Sequence, residues 1–176
     1  AEYHRKSGDP EKALSWQRQV FLGNPTVKSF GVLREVSEKI GVWQEVRTGV
    51  LKELEERNDI GALVEIALHE GDVARALELL PRAPRGGWRD YRWEVARAAE
   101  KDRPLDAIAL YKEMAEAAIG WRQRKAYAQA AAFLRRIKLL YERLDRIGEW
   151  QEYLAVLKRE YARLPALQEE LDKARL

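Results

Sequence analysis

Apolar positions along this chain recur at three- and four-residue steps in blocks punctuated by Gly and Pro. That period puts an apolar stripe on one side of each of a series of amphipathic helices. It predicts helices near 1–7, 10–22, 26–40, 42–57, 60–70, 72–80, 88–100, 104–119, 121–147, 149–163 and 165–175. The ninth block is the longest. Tyr127, Ala130, Leu134, Ile137, Tyr141 and Leu144 alternate three- and four-residue steps, flanked by Phe133, Leu140 and Ile147. At 1.5 Å per residue this helix would run for roughly 40 Å and act as a spine for antiparallel packing of 104–119 and 149–163.

The blocks repeat. Ser7-Gly-Asp-Pro-Glu-Lys-Ala-Leu14, Glu70-Gly-Asp-Val-Ala-Arg-Ala-Leu77 and Lys101-Asp-Arg-Pro-Leu-Asp-Ala-Ile108 share one turn signature, and Ile40-Gly-Val-Trp-Gln-Glu-Val46 and Ile147-Gly-Glu-Trp-Gln-Glu-Tyr153 form a tryptophan-bearing version. Anchored on Gly8, Gly41, Gly71, Asp102 and Gly148, the intervals are 33, 30, 31 and 46 residues. The first three lie near the tetratricopeptide period of about 34. A glycine just past a helix takes the left-handed backbone that ends it, and a proline, as at Pro10 and Pro104, suits the first turn of the next. Five residues after each anchor stand Ala13, Val46, Ala76, Ala107 and Tyr153, mostly small enough to let paired helices approach. Eleven before stand Phe30, Ile60, Tyr91 and Ile137, and eight before stand Leu33, Leu63, Glu94 and Leu140. Pro25 closes the first repeat. The expected fold is a right-handed α-α superhelix, a tetratricopeptide-like array forming a single domain over 1–176, with one long helix near the C-terminus. Pro81-Arg-Ala-Pro-Arg-Gly-Gly87 marks its flexible point.

Composition agrees with helices. Of 176 residues 46% are hydrophobic and 35% charged, enough for a core and too apolar for wholesale disorder. No run reaches the roughly 20 apolar residues of a membrane span, and no leader pattern opens the chain, so a cytoplasmic location is expected. Without cysteine there is no disulfide or thiolate zinc site, and the two histidines, His4 and His69, make a poor metal set. No metal and no cofactor are expected. Since Ala1 already lies inside a helical pattern, the chain is expected to be part of a longer protein.

Charge singles out the ninth block. Within 121–147, eight basic residues face two acidic ones, whereas the whole chain is only +3. Lys125, Arg136 and Arg143 align opposite the apolar stripe, with Arg122 near the start. Two readings stand: a solvated helix face, or a ridge gripping phosphates or an acidic partner. The tryptophans divide in the same manner. Trp43 and Trp150 occupy one repeat position and read as wedges between helices. Trp88 and Trp121, after glycines at helix starts, read as packing or as exposed stacking surfaces. Glu53, Glu55 and Glu56 with Arg57 read as a solvated charge run. His69-Glu70 is no metalloprotease motif, because Val73 stands where a second histidine is needed. No phosphate loop, nucleophile elbow or convincing carboxylate pair is visible, so no catalytic residue is expected. Leu164, Leu167, Leu171 and Ala174 give the last helix an apolar side that caps the array or docks a partner.

The runs Leu63-Val-Glu-Ile-Ala-Leu-His-Glu-Gly-Asp72, Ala98-Ala-Glu-Lys-Asp-Arg-Pro104, Ala107-Ile-Ala-Leu-Tyr111, Ala130-Ala-Ala-Phe-Leu-Arg-Arg136 and Trp150-Gln-Glu-Tyr-Leu-Ala-Val-Leu-Lys-Arg159 resemble the C-terminal helical region of bacterial SWIM zinc-finger proteins. In that family a C-x-C…C-x-H zinc motif lies N-terminal to this region and DNA or protein is bound. With no cysteine here, no family zinc ligand transfers. The resemblance implies the scaffold half of such a protein. The expected function is non-catalytic: binding of a protein or peptide, or of the N-terminal part of its own parent. The alternative is nucleic-acid binding through the basic face of 121–147.

Overall fold

The computed structural model describes residues 10–84 and 90–176. Its elements are ten α-helices, with no strand among the described residues: α1 Pro10–Gly23, α2 Val27–Lys39, α3 Trp43–Glu56, α4 Ile60–His69, α5 Val73–Leu79, α6 Arg92–Ala99, α7 Pro104–Gly120, α8 Arg124–Arg143, α9 Ile147–Glu160 and α10 Pro165–Lys173. A single 3-10 turn, Leu80–Arg82, follows α5. None of these helices is long and apolar enough to cross a membrane. The residues fall into two compact units, divided between Tyr91 and Arg92. The helix expected over 1–7 and the 85–87 part of the expected flexible segment lie outside the described residues.

In the first unit, local chemistry marks several of the helix starts and stops. Thr26 forms a capping box with Ser29: the Ser29 N–H donates to the Thr26 hydroxyl at 3.1 Å, and the Thr26 N–H donates to the Ser29 hydroxyl at 3.0 Å. Asp59 and Asp72 cap α4 and α5 by accepting from the N–H groups of Ala62 and Arg75. Each cap satisfies a donor that the helix cannot satisfy itself. At the other ends Gly41, Asn58 and Gly71 are left-handed. The N–H groups of the residues that follow reach back to Ser37, Leu54 and Ala67, closing a Schellman turn each time. Phe21, Phe30, Leu33, Val50, Leu54 and Val64 fill the core behind these turns. Tyr91 ends the unit in a notch. A Cβ on Gly61 would stand 2.7 Å from the Tyr91 hydroxyl, which donates to Glu65 at 3.1 Å.

The second unit is built round α8. Ala126, Tyr127, Ala130, Ala131, Phe133, Leu134, Ile137, Leu140 and Tyr141 are buried on it, in agreement with the apolar stripe. Antiparallel α7 covers this face, with α9 and α10 packed beside it. The sequence expectation of a helix over 121–147 is corrected at both ends. Arg122 and Asp145 adopt left-handed φ values of 52° and 55°, so the helix spans the 20 residues between two tight turns. Asp145, not Gly148, terminates α8, and Gly148 sits within α9. The last repeat anchor was therefore three residues late. For the same reason Trp43 and Trp150, though both buried, are not equivalent: the first lies two residues past its left-handed turn, the second five.

Some positions singled out by the spacing are buried: Ala76 and Ala107 fully so, where small side chains were expected, and Phe30 and Ile60 eleven residues before Gly41 and Gly71. Tyr91 and Glu94 are only half-buried.

Candidate functional site

The structure places the four basic residues singled out in the sequence at two points: Arg122 and Lys125 at the start of α8, and Arg136 and Arg143 further along it. Arg122 stands on the α7–α8 turn, where its N–H donates to the Ile119 carbonyl at 3.1 Å. Lys125 lies exposed in the first turn of α8. Eleven residues later, about 16 Å along the axis, the Arg136 guanidinium donates to Glu100 Oε1 at 2.7 Å. It also stacks 4.9 Å from the Trp93 ring centre and 5.9 Å from that of Tyr111. The Tyr111 hydroxyl donates to the same oxygen at 2.6 Å. Burial, reinforced by the Glu100 carboxylate, pushes this phenol above its ordinary pKa and keeps it a neutral donor. Arg143 donates to the Glu100 carbonyl. Arg136 and Arg143 thus meet at the C-terminal turn of α6, where carbonyls lack helical partners.

Other cations of α8 turn toward α10. Arg124 reaches Glu169 at 2.6 Å and Glu170 at 3.5 Å. Arg135 and Lys138 donate to the Ala174 and Arg175 carbonyls. Two fully buried leucines, Leu167 and Leu171, pin α10 beneath these contacts. The charge excess seen in the sequence is largely engaged with neighbouring helices.

A second feature, in the first unit, was not anticipated. Between α3, α4 and α5 lies a cleft of about 260 Å³ whose floor is Leu51, Leu63, Ile66, Ala67 and Leu79. Its rim carries Arg47, Lys52, Glu55, Glu70, Asp72 and Arg75. The turn between α4 and α5 positions one side of it, since Glu70 ends α4 and Asp72 caps α5. Arg47 forks onto Glu70, with Nε to Oε1 at 2.8 Å and Nη2 to Oε2 at 2.6 Å. The Glu70 hydrogen bond holds the Arg47 guanidinium above its ordinary pKa. On the opposite side Arg82 and Arg75 share Glu55 at 2.6 and 2.9 Å, and the hydrogen bond from Arg82 is the chief cause holding that carboxyl below its ordinary value. The Glu53–Glu56 run is thus more than a solvated face: Glu53 binds Arg18 and Arg57, and Glu55 binds α5 and the turn after it. Apolar side chains fit the floor, and hydrogen-bonding groups fit the rim. The rim partners lie 20 and 23 residues apart, too far for local pattern to reveal, although the alternating charges of α3 were a visible signal.

The aromatic residues divide as follows. Trp43 meets Phe30 edge-on, with centroids 5.2 Å apart. Trp93 joins Tyr111 and Phe133 in a three-ring cluster. Trp150 packs against Tyr153. Trp121 is 71% exposed. Trp88 lies outside the described residues.

A stretch of 73 residues, 42% of the chain, is 34% identical to a Bacillus subtilis (strain 168) protein described as "Uncharacterized protein YwqB". The chain spans only 14% of that relative's length. No family model matches the chain. No solved structure matches it.

Proposed function

We propose that this chain is a non-catalytic, cytoplasmic helical-repeat scaffold whose first unit holds a peptide, or a segment of its own parent protein, in the cleft between α3, α4 and α5. In this reading the array is tetratricopeptide-like and coils as a right-handed superhelix, and the parent is a protein of the SWIM zinc-finger type. One observation carries the proposal: an apolar floor is held open between two rims of ion pairs. Apolar floors anchor a partner's side chains, while a polar rim fixes its direction.

A photo-crosslinking side chain at Leu51 of the full-length parent tests the cleft. Adducts should map to one partner segment, and the same probe at exposed Leu139 should not yield them. Equal, scattered adducts from both positions would remove the cleft from consideration. The parentage is tested separately by the coding sequence upstream of Ala1, which should encode cysteine and histidine at C-x-C…C-x-H spacing.

A further inference from the structure

We propose that the α7–α8 turn docks single-stranded nucleic acid, with the Trp121 indole as a stacking platform for a base and with Arg122 and Lys125 as phosphate partners. The site lies in the second unit and owes nothing to the cleft. Trp121 is 71% exposed, the most open of the large apolar side chains described. Its backbone is nevertheless fixed from below. The N–H groups of Trp121 and Arg122 donate to the carbonyls of Ala118 and Ile119 at 3.3 and 3.1 Å, and both acceptor residues are buried in the core. A ring on so constrained a turn has only its own two side-chain torsions to order on binding.

The turn itself carries charge of one sign. Residues 120–125 are all exposed and include three cations and no carboxylate. Arg124 is committed to Glu169 and Glu170, whereas Arg122 and Lys125 have no carboxylate partner among the described residues. Burial, Glu160 and Glu116 raise the Tyr161 phenol pKa, and Arg122 acts on it in the opposite direction. An open indole flanked by two cations without a carboxylate partner among the described residues fits a ligand with flat apolar faces and an anionic backbone. Unstacked nucleotides combine the two. A duplex hides its base faces, and an acidic peptide supplies charge without a flat surface.

The test titrates the protein into a fluorescein-labelled oligothymidylate at about 50 mM salt, followed by anisotropy. Saturable binding is expected, with a log affinity against log salt slope near −1.4, about two phosphate contacts at −0.7 each. Trp121→Ala should weaken binding roughly tenfold with an unchanged circular dichroism spectrum, and Arg122→Glu with Lys125→Glu should flatten the salt slope. Duplex DNA and polyglutamate should compete poorly. No saturable binding at low salt, a Trp121→Ala variant that binds like the parent, or displacement by polyglutamate as effective as by unlabelled oligothymidylate would each overturn the proposal; the last would point to an acidic protein partner instead.

Discussion

The two units end their helices by different means. In the first, left-handed turns fall on Gly41, Asn58 and Gly71, and Thr26, Asp59 and Asp72 cap the starts of α2, α4 and α5, while α3 starts without a side-chain cap. In the second, the left-handed turns fall on Arg122, Asp145 and Arg175, and α7, α8 and α9 start without a side-chain cap. Length goes with part of the difference, though α9 and α10, of 14 and 9 residues, also start without a side-chain cap. No helix of the first unit exceeds 14 residues, whereas α7 and α8 have 17 and 20. Short helices are marginal unless their ends are satisfied, while long ones bury enough surface to tolerate poor ends. Side-chain caps mark three helix starts in the first unit and none of the starts of α7 to α10 in the second.

The contrast breaks first if the core of the second unit proves dispensable. Leu134 is fully buried on α8, and Leu134→Ala should cost about 2–5 kcal/mol in urea unfolding; a loss below about 1 kcal/mol would mean that packing does not govern this half. Next come the turns. Gly41→Ala and Gly71→Ala place a Cβ in left-handed backbone and should each cost about 1–2 kcal/mol, whereas Arg122→Gly relieves the same conflict and should raise stability by about 0.5–1 kcal/mol. Opposite signs in paired thermal melts sharpen the contrast. Cap changes should follow, at about 1 kcal/mol: Asp59→Ala lowers stability, and Gln123→Asp raises it by giving α8 a cap beside its basic first turn.

The smallest effect concerns acid. The folded-state pKa of Glu55 lies below its ordinary value, so the stabilisation it provides is full above the ordinary carboxylate range and is lost as pH falls through that lowered pKa. The pair is largely solvent-screened and should contribute a few tenths of a kcal/mol. The melting-point gap between the unsubstituted chain and Glu55→Gln at pH 7 should therefore close as the solution is acidified below the ordinary carboxylate range.

What could be read in advance follows the same division. Helix spacing and the glycine turns at 41 and 71 are local signals, and α1 to α5 begin and end within a few residues of the expected places. The ends of α8 were missed because arginine carries no turn signal at 122 and because the glycine at 148 drew the expected end past Asp145, itself a residue that tolerates left-handed backbone. Side-chain engagement was less legible still. Arg136 looked like a surface cation on a helical wheel, and only the fold brings Trp93, Glu100 and Tyr111 around it. The cleft was invisible because its two rims are joined across 20 or more residues.

The notch at Gly61 carries a consequence for how this chain tolerates change. The buried Ala83 and the Tyr91 hydroxyl bond to Glu65 fasten the chain to the first unit on both sides of residues 84–90. Insertions between those two footholds should leave the helices on either side undisturbed. Residue 61 has less latitude, since a Cβ there would stand 2.7 Å from the Tyr91 hydroxyl and oblige that side chain to shift.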